Sequence, residues 1–164
     1  MTKMGPGMQV LLLADTLRDR YRLRGVATED DVDRILGEHG LTICERWPFV
    51  GRVKALLVED HVFLAKGLCR GERTAYKAHE LGHFLLHEGN GLYLQVPARQ
   101  MMNDKRERQA QLFAGALLLG SPVKTRRTIE ARLAEAHGNG VPLDFLCSYA
   151  SAIVAEFGVR MPAA

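Results

Sequence analysis

Within the run Ala78-His79-Glu80-Leu81-Gly82-His83-Phe84-Leu85-Leu86-His87, two histidines stand four residues apart with a glutamate beside the first. On a helix, residues i and i+4 share one face, so His79 and His83 can present two imidazoles to one metal ion. Neutral imidazoles bind Zn²⁺ well, and a third protein ligand leaves one tetrahedral position for water. A carboxylate next to that water can take its proton, and Glu80 is the candidate base. The spacing therefore points to a zinc hydrolase.

These groups need a helix to hold them. From Glu72 to His87, Ala75, Ala78, Leu81, Gly82, Leu85 and Leu86 recur at helical spacing and form a buried stripe. The third ligand is harder to find. His87 lies roughly 12 Å from His79 along a straight helix axis, too far for bonds of about 2 Å to one ion. The extended pattern H-E-x-x-H-x-x-G-x-x-H also fails, because Leu86 and Gly89 occupy its last two fixed positions.

The better candidate is Glu107, in a second helix expected to start at Asn103 as N-cap and to run to Leu119. Ala110 and Ala114 follow Glu107 as a small-residue strip that lets this helix lie close to the first, while Leu112, Phe113, Ala116 and Leu117 supply core. The competing assignment for Glu107 is a surface carboxylate paired with Arg106 or Arg108.

These two blocks resemble the ImmA/IrrE-type zinc metallopeptidases. The resemblance rests on Ala78-His79-Glu80-Leu81-Gly82-His83 and on Glu107-x-x-Ala110-Gln111-x-Phe113-Ala114 followed by Leu117-Leu118-Leu119. Family members usually read E-x-x-A-N-x-F-A and then L-L-M-P. Gln111 and Gly120 depart from that pattern, with Pro122 two residues later. The resemblance implies zinc on His79, His83 and Glu107, with Glu80 as catalytic base. It implies a gluzincin-like peptidase in transcription regulation and stress response, cleaving a partner helix-turn-helix repressor.

Composition agrees with a small globular protein. The chain has 164 residues, 47% hydrophobic and 25% charged, enough for one domain with a core. No apolar run reaches membrane-spanning length. The stretch Met8–Leu17 lacks a small-residue cleavage site and runs into Arg18, Arg20, Arg22 and Arg24, so it reads as an amphipathic helix and not a signal peptide. Cys44, Cys69 and Cys147 form no C-x-x-C, which suggests free thiols in a reducing cytoplasm. A formal charge of +3 is too small to argue for nucleic acid.

Other elements follow from local signals. A first helix should span about Met8 to Leu23 and end at Gly25. A second should begin after Thr28, whose hydroxyl can cap Glu29-Asp30-Asp31, and stop at Gly40. Leu41–Trp47, Val53–Val58 and His61–Leu68 read as strands, the last two a hairpin turning at Glu59-Asp60. Residues 89–103, punctuated by Gly89, Gly91 and Pro97, read as a loop placed to gate the cleft.

Lys124, Arg126, Arg127 and Arg132 open a helix through His137. Glu130 and Glu135 are interleaved with them, which favours a solvated face over a DNA reader. A final helix spans Leu143 to Phe157.

The expected fold is α+β: a short antiparallel sheet of about three strands packed against a helical zincin-like core that carries the H-E-x-x-H helix, plus C-terminal helices. Residues 1–120 would form the peptidase core and 121–164 a helical extension packed on it. The expected activity is a cytoplasmic zinc endopeptidase of narrow specificity, with a DNA-binding repressor as protein substrate, no membrane association and no direct nucleic-acid binding. The main rival is a regulatory module that keeps the metal fold and acts by contact with a repressor or DNA. A weaker rival is a zinc hydrolase of non-peptide substrates. Tyr76, His87 and Tyr93 all stay open as oxyanion donors, and His87 also as a surface histidine or a partner to a ligand.

Overall fold

The computed structural model describes residues 4–47, 53–87, 97–122 and 129–157. The elements run α1 (Pro6–Arg20), α2 (Glu29–Glu38), β1 (Thr42–Trp47), β2 (Ala55–Val58), β3 (His61–Ala65), α3 (Arg70–Leu86), α4 (Pro97–Leu119), α5 (Ile129–Gly138) and α6 (Leu143–Phe157). The class is α+β.

Local chemistry explains most boundaries. Thr28 and Asp31 form a reciprocal capping box at the start of α2. Gly40 then takes a φ of 76°, the left-handed conformation that ends a helix cheaply only at glycine. At the start of α3 the Glu72 carboxylate accepts the Cys69 N–H at 2.8 Å, so the helix opens two residues before the expected Glu72. The first helix ends at Arg20, short of the expected Leu23.

Two expectations need correction. The expected start of the second metal-bearing helix at Asn103 is wrong, because α4 begins at Pro97. Proline is tolerated in a first helical turn, where its missing N–H costs nothing, and Ala98–Met102 are good helix formers. The proposed gating loop over 89–103 is therefore helical from residue 97, and its earlier part, with Gly89, Gly91 and Tyr93, lies outside the described residues. The sheet is also mixed and not all antiparallel. Its order is β1-β3-β2, with β2 antiparallel to β3 but β1 parallel to it. The hairpin places β3 in the middle, and the chain crosses from one edge to the other between β1 and β2. Alternating hydrophobicity encodes which face is buried and carries no information on strand direction.

Leu57, Val62 and Leu64 point from the sheet into a core shared with Ala75, Ala78 and Leu81 of α3. The second half of α4 is buried almost all round: Phe113, Ala114 and Ala116 through Leu119 have no exposed surface. Helices α1, α3 and α6 pack around it.

A helix end so deeply buried needs partners for its carbonyls. The buried Arg18 guanidinium donates to the Leu117 carbonyl at 2.7 Å and to Leu118 at 3.2 Å. Arg132 donates to Leu119 and the Tyr149 hydroxyl to Gly120. Asp15 accepts from the backbone N–H and hydroxyl of Ser121. Tyr149 lies on α6, so this helix is tied to the end of α4.

Candidate metal centre

Helix α3 carries His79 and His83 on one face, with ring centroids 4.8 Å apart. Helix α4 brings Glu107 to them. Glu107 Oε2 lies 2.9 Å from His79 Nε2, Glu107 Oε1 lies 2.9 Å from His83 Nε2, and the two Nε2 atoms are 3.2 Å apart. The small residues expected between the helices make this approach possible. A Cβ at Gly82 would stand only 3.1 Å from the Ala110 Cα, and Ala110 and Ala114 are fully buried.

The triad suits a metal ion. Its donor atoms all lie within 4.8 Å of one another, and they are two imidazole nitrogens and a carboxylate, the set zinc prefers. A tetrahedral ion with bonds of about 2 Å keeps its donors roughly 3.3 Å apart, close to the spacing found here. The alternative pairing of Glu107 with Arg106 or Arg108 is not what the geometry favours: its carboxylate spans both imidazoles.

The electrostatics of these groups are strongly coupled. The Glu107 side chain is 58% exposed, and although the neighbouring protein partly desolvates its carboxyl, hydrogen bonds from His79 and His83 hold it well below the ordinary carboxylate range. Burial pulls the His79 imidazole down, yet the Glu107 hydrogen bond and the charge of Glu80 outweigh it and raise it. Glu80 is buried at 7% exposure, and that burial raises its carboxyl above the usual value despite the nearby histidines. The Leu57 backbone N–H of β2 also hydrogen-bonds Glu80, which ties the sheet edge to the carboxylate.

Each imidazole has an outer partner. Gln111 hydrogen-bonds His79, while its Nε2 donates to the Phe145 carbonyl at 3.2 Å on α6. His83 Nδ1 lies 3.1 Å from His87 Nδ1, and His87 Nε2 lies 3.0 Å from Gln109 Oε1. Burial, and the Arg106 charge nearby, lower the His87 imidazole against the hydrogen bond to Gln109. Sequence reasoning missed Gln109 altogether, for want of a motif that marks it. Tyr76 is half-buried, with Asp144, Glu72 and the Cys69 thiol as neighbours toward the N-terminal end of α3.

Elsewhere, His61 pairs with Asp60 and His39 Nδ1 meets the Ile35 carbonyl at 2.8 Å, contacts remote from the triad. All three cysteines are free. Among the described residues no helix is long and apolar enough to cross a membrane.

An α+β chain with two histidines of H-E-x-x-H and a distant glutamate converging on one point has the donor set of a metallopeptidase. The chain belongs to the peptidase family described as the IrrE N-terminal-like domain, which matches residues 58–141 and so spans β3, α3, α4 and α5. That membership implies a metal ion, and the His79, His83 and Glu107 group could hold one. The chain is similar to the metallopeptidase ImmA of Bacillus subtilis (strain 168), 45% identical over 42 residues. That match covers 26% of this chain and 25% of the relative, so the chain aligns with only a quarter of that protein. No solved structure matches the chain.

Proposed function

We propose that this protein is a zinc-dependent endopeptidase of narrow specificity, with His79, His83 and Glu107 as metal ligands and Glu80 as general base on a zincin-like core. The observation that carries the reading is the convergence of the Glu107 carboxylate on both Nε2 atoms of the H-E-x-x-H pair. Zinc held there would polarise a peptide carbonyl and lower the pKa of the attacking water.

The chain's own groups account for the rest. Glu80 takes the water proton on its carboxylate and returns it to the leaving amine, and its raised affinity for a proton suits that exchange near neutral pH. The Leu57 N–H orients the carboxylate. Strand β2 is an edge of the sheet and packs on α3, so an extended peptide laid along it would pair main chain to main chain beside Glu80. Residues 1–120 act as the peptidase core, with 121–164 as a helical extension held to it by Tyr149 and Gln111.

The substrate we propose is a helix-turn-helix repressor, on the strength of the family. Purified protein is incubated with such a repressor encoded beside it, and with casein. We expect single-site cleavage of the repressor, little turnover of casein, and a loss of at least about 100-fold in Glu80→Gln with zinc retained. Wild-type rates in Glu80→Gln overturn the role of Glu80, and rapid digestion of casein overturns the narrow specificity. An uncut repressor in the presence of zinc-loaded wild type overturns the substrate assignment and favours regulation by contact alone.

A further inference from the structure

His87 follows the last residue of α3 and leaves the helical path, with φ −128° and ψ 119°, while its backbone N–H still donates to the His83 carbonyl at 3.0 Å. Its side chain turns back to the metal-bearing histidine one turn earlier. The Nδ1 atoms of His83 and His87 are 3.1 Å apart, and His87 Nε2 lies 3.0 Å from the Gln109 Oε1 of α4.

Hydrogen-bond inventory orders this chain of contacts. An amide oxygen only accepts, so the hydrogen between His87 and Gln109 belongs to His87 Nε2. A neutral imidazole with its hydrogen on Nε2 has an acceptor at Nδ1. The hydrogen between the two Nδ1 atoms therefore belongs to His83. With that hydrogen on Nδ1, a metal ion seated between His83 Nε2 and Glu107 Oε1, which lie 2.9 Å apart, would take the Nε2 lone pair in place of the hydrogen bond the two atoms share.

We propose that His87, held by Gln109, is a positioning residue that fixes the tautomer and ring orientation of His83 so that Nε2 faces the metal. The proposal rests on the reading of His79, His83 and Glu107 as metal ligands. It assigns His87 a role distinct from ligation, since its two nitrogens are engaged by the far nitrogen of His83 and by Gln109. It also adds Gln109, behind His83, to the groups that α4 brings to the centre beside Glu107 and Gln111. Groups that hold the far nitrogen of a metal-binding histidine raise its basicity and remove the cost of orienting the ring.

The test measures zinc affinity by chelator competition, and the visible spectrum of the cobalt-substituted protein, in full-length wild type, His87→Leu, His87→Asn and His83→Ala. Leucine removes the acceptor and keeps the bulk. We expect His87→Leu to bind zinc about 10- to 100-fold more weakly, with an altered cobalt spectrum and an unchanged fold by circular dichroism. Asparagine can place an oxygen near the lost Nδ1, and we expect it to recover most of the affinity. Zinc affinity in His87→Leu within about twofold of wild type, with the same spectrum, overturns the proposal. Equal weakness in the leucine and asparagine variants overturns it as well, because loss of packing would then explain both.

Should His87→Leu fail to fold, Gln109→Leu carries the test. It frees His87 to take either tautomer, so affinity should fall severalfold, and unchanged affinity overturns the proposal. Wild type that binds no zinc, or His83→Ala that binds it as wild type does, removes the metal reading itself and this inference with it.

Discussion

Glu29 offers a quantitative check on how α3, the helix that carries His79 and His83, is fixed in place. It sits in the first turn of α2 with its side chain 9% exposed, and accepts from Arg73 Nε at 2.7 Å and from Lys77 Nζ at 2.8 Å. Lys77 is 1% exposed and also reaches Asp33 at 2.7 Å. Both cationic residues belong to α3, and Lys77 stands two residues before His79. Burial alone would raise the Glu29 carboxyl, but the hydrogen bonds from Arg73 and Lys77 and their charges bring it down from 4.5 to about 2.

A carboxyl held below its unfolded value stabilises the fold at pH above the unfolded pKa, and that contribution is lost as pH falls through the folded pKa. The window is therefore pH 4.5 down to about 2. At about 1.4 kcal/mol per unit, the shift corresponds to a contribution of order 3 kcal/mol. Urea unfolding of wild type and Glu29→Gln across that window reads it directly. Near neutral pH the variant should be less stable by about 3 kcal/mol, since the amide leaves buried cations less well paired. That gap should close as the pH approaches 2. Comparing the two proteins cancels the titration of other carboxylates, Glu107 among them. A gap that stays constant across the window refutes the reasoning, and so does a variant as stable as wild type near neutral pH.

Three further substitutions probe the contacts around the centre. Gly82→Val places a branched side chain where even a Cβ would stand 3.0 Å from the Phe113 ring and 3.1 Å from the Ala110 backbone. It should push α3 from α4, cost about 1–3 kcal/mol in urea unfolding, and weaken zinc binding by separating the histidines from Glu107. Gln111→Leu removes the hydrogen bonds to His79 and to the Phe145 carbonyl, and chelator competition should show zinc affinity about 10-fold lower or more. Tyr149→Phe leaves the buried Gly120 carbonyl without its 2.7 Å partner, and should lower the unfolding free energy by about 1–3 kcal/mol while zinc affinity stays at the wild-type value.

The parts of this structure that were legible in the sequence are those set by local rules. The i, i+4 spacing of His79 and His83 defines a shared helical face before any fold is known, and Thr28 with three following acids announces a helix start. Glu107 was legible for a different reason: carboxylates are common, but Ala110 and Ala114 at helical spacing from it mark a face narrow enough to touch another helix. The start of α4 was misread because Pro97 serves equally to break a helix and to open one. The parallel pairing of β1 with β3 left no trace in the alternation of either strand.

What stayed hidden in the centre is what depends on tertiary geometry. Glu107 and Gln111 are four residues apart and share a face of α4, so a reader who finds one can look for the other. Gln109, two residues from Glu107, projects to a different side of the helix, and periodicity would assign it away from the histidines. It becomes their partner because the chain leaves α3 at His87 and the imidazole reaches α4 from beyond the helix end. The Leu57 N–H carries even less of a signal, since a backbone donor has no letter in the sequence. The pattern of letters thus marks the three groups that the fold brings together, His79, His83 and Glu107. The outer groups that orient them come from wherever the packed helices and the sheet edge bring a donor or acceptor within reach.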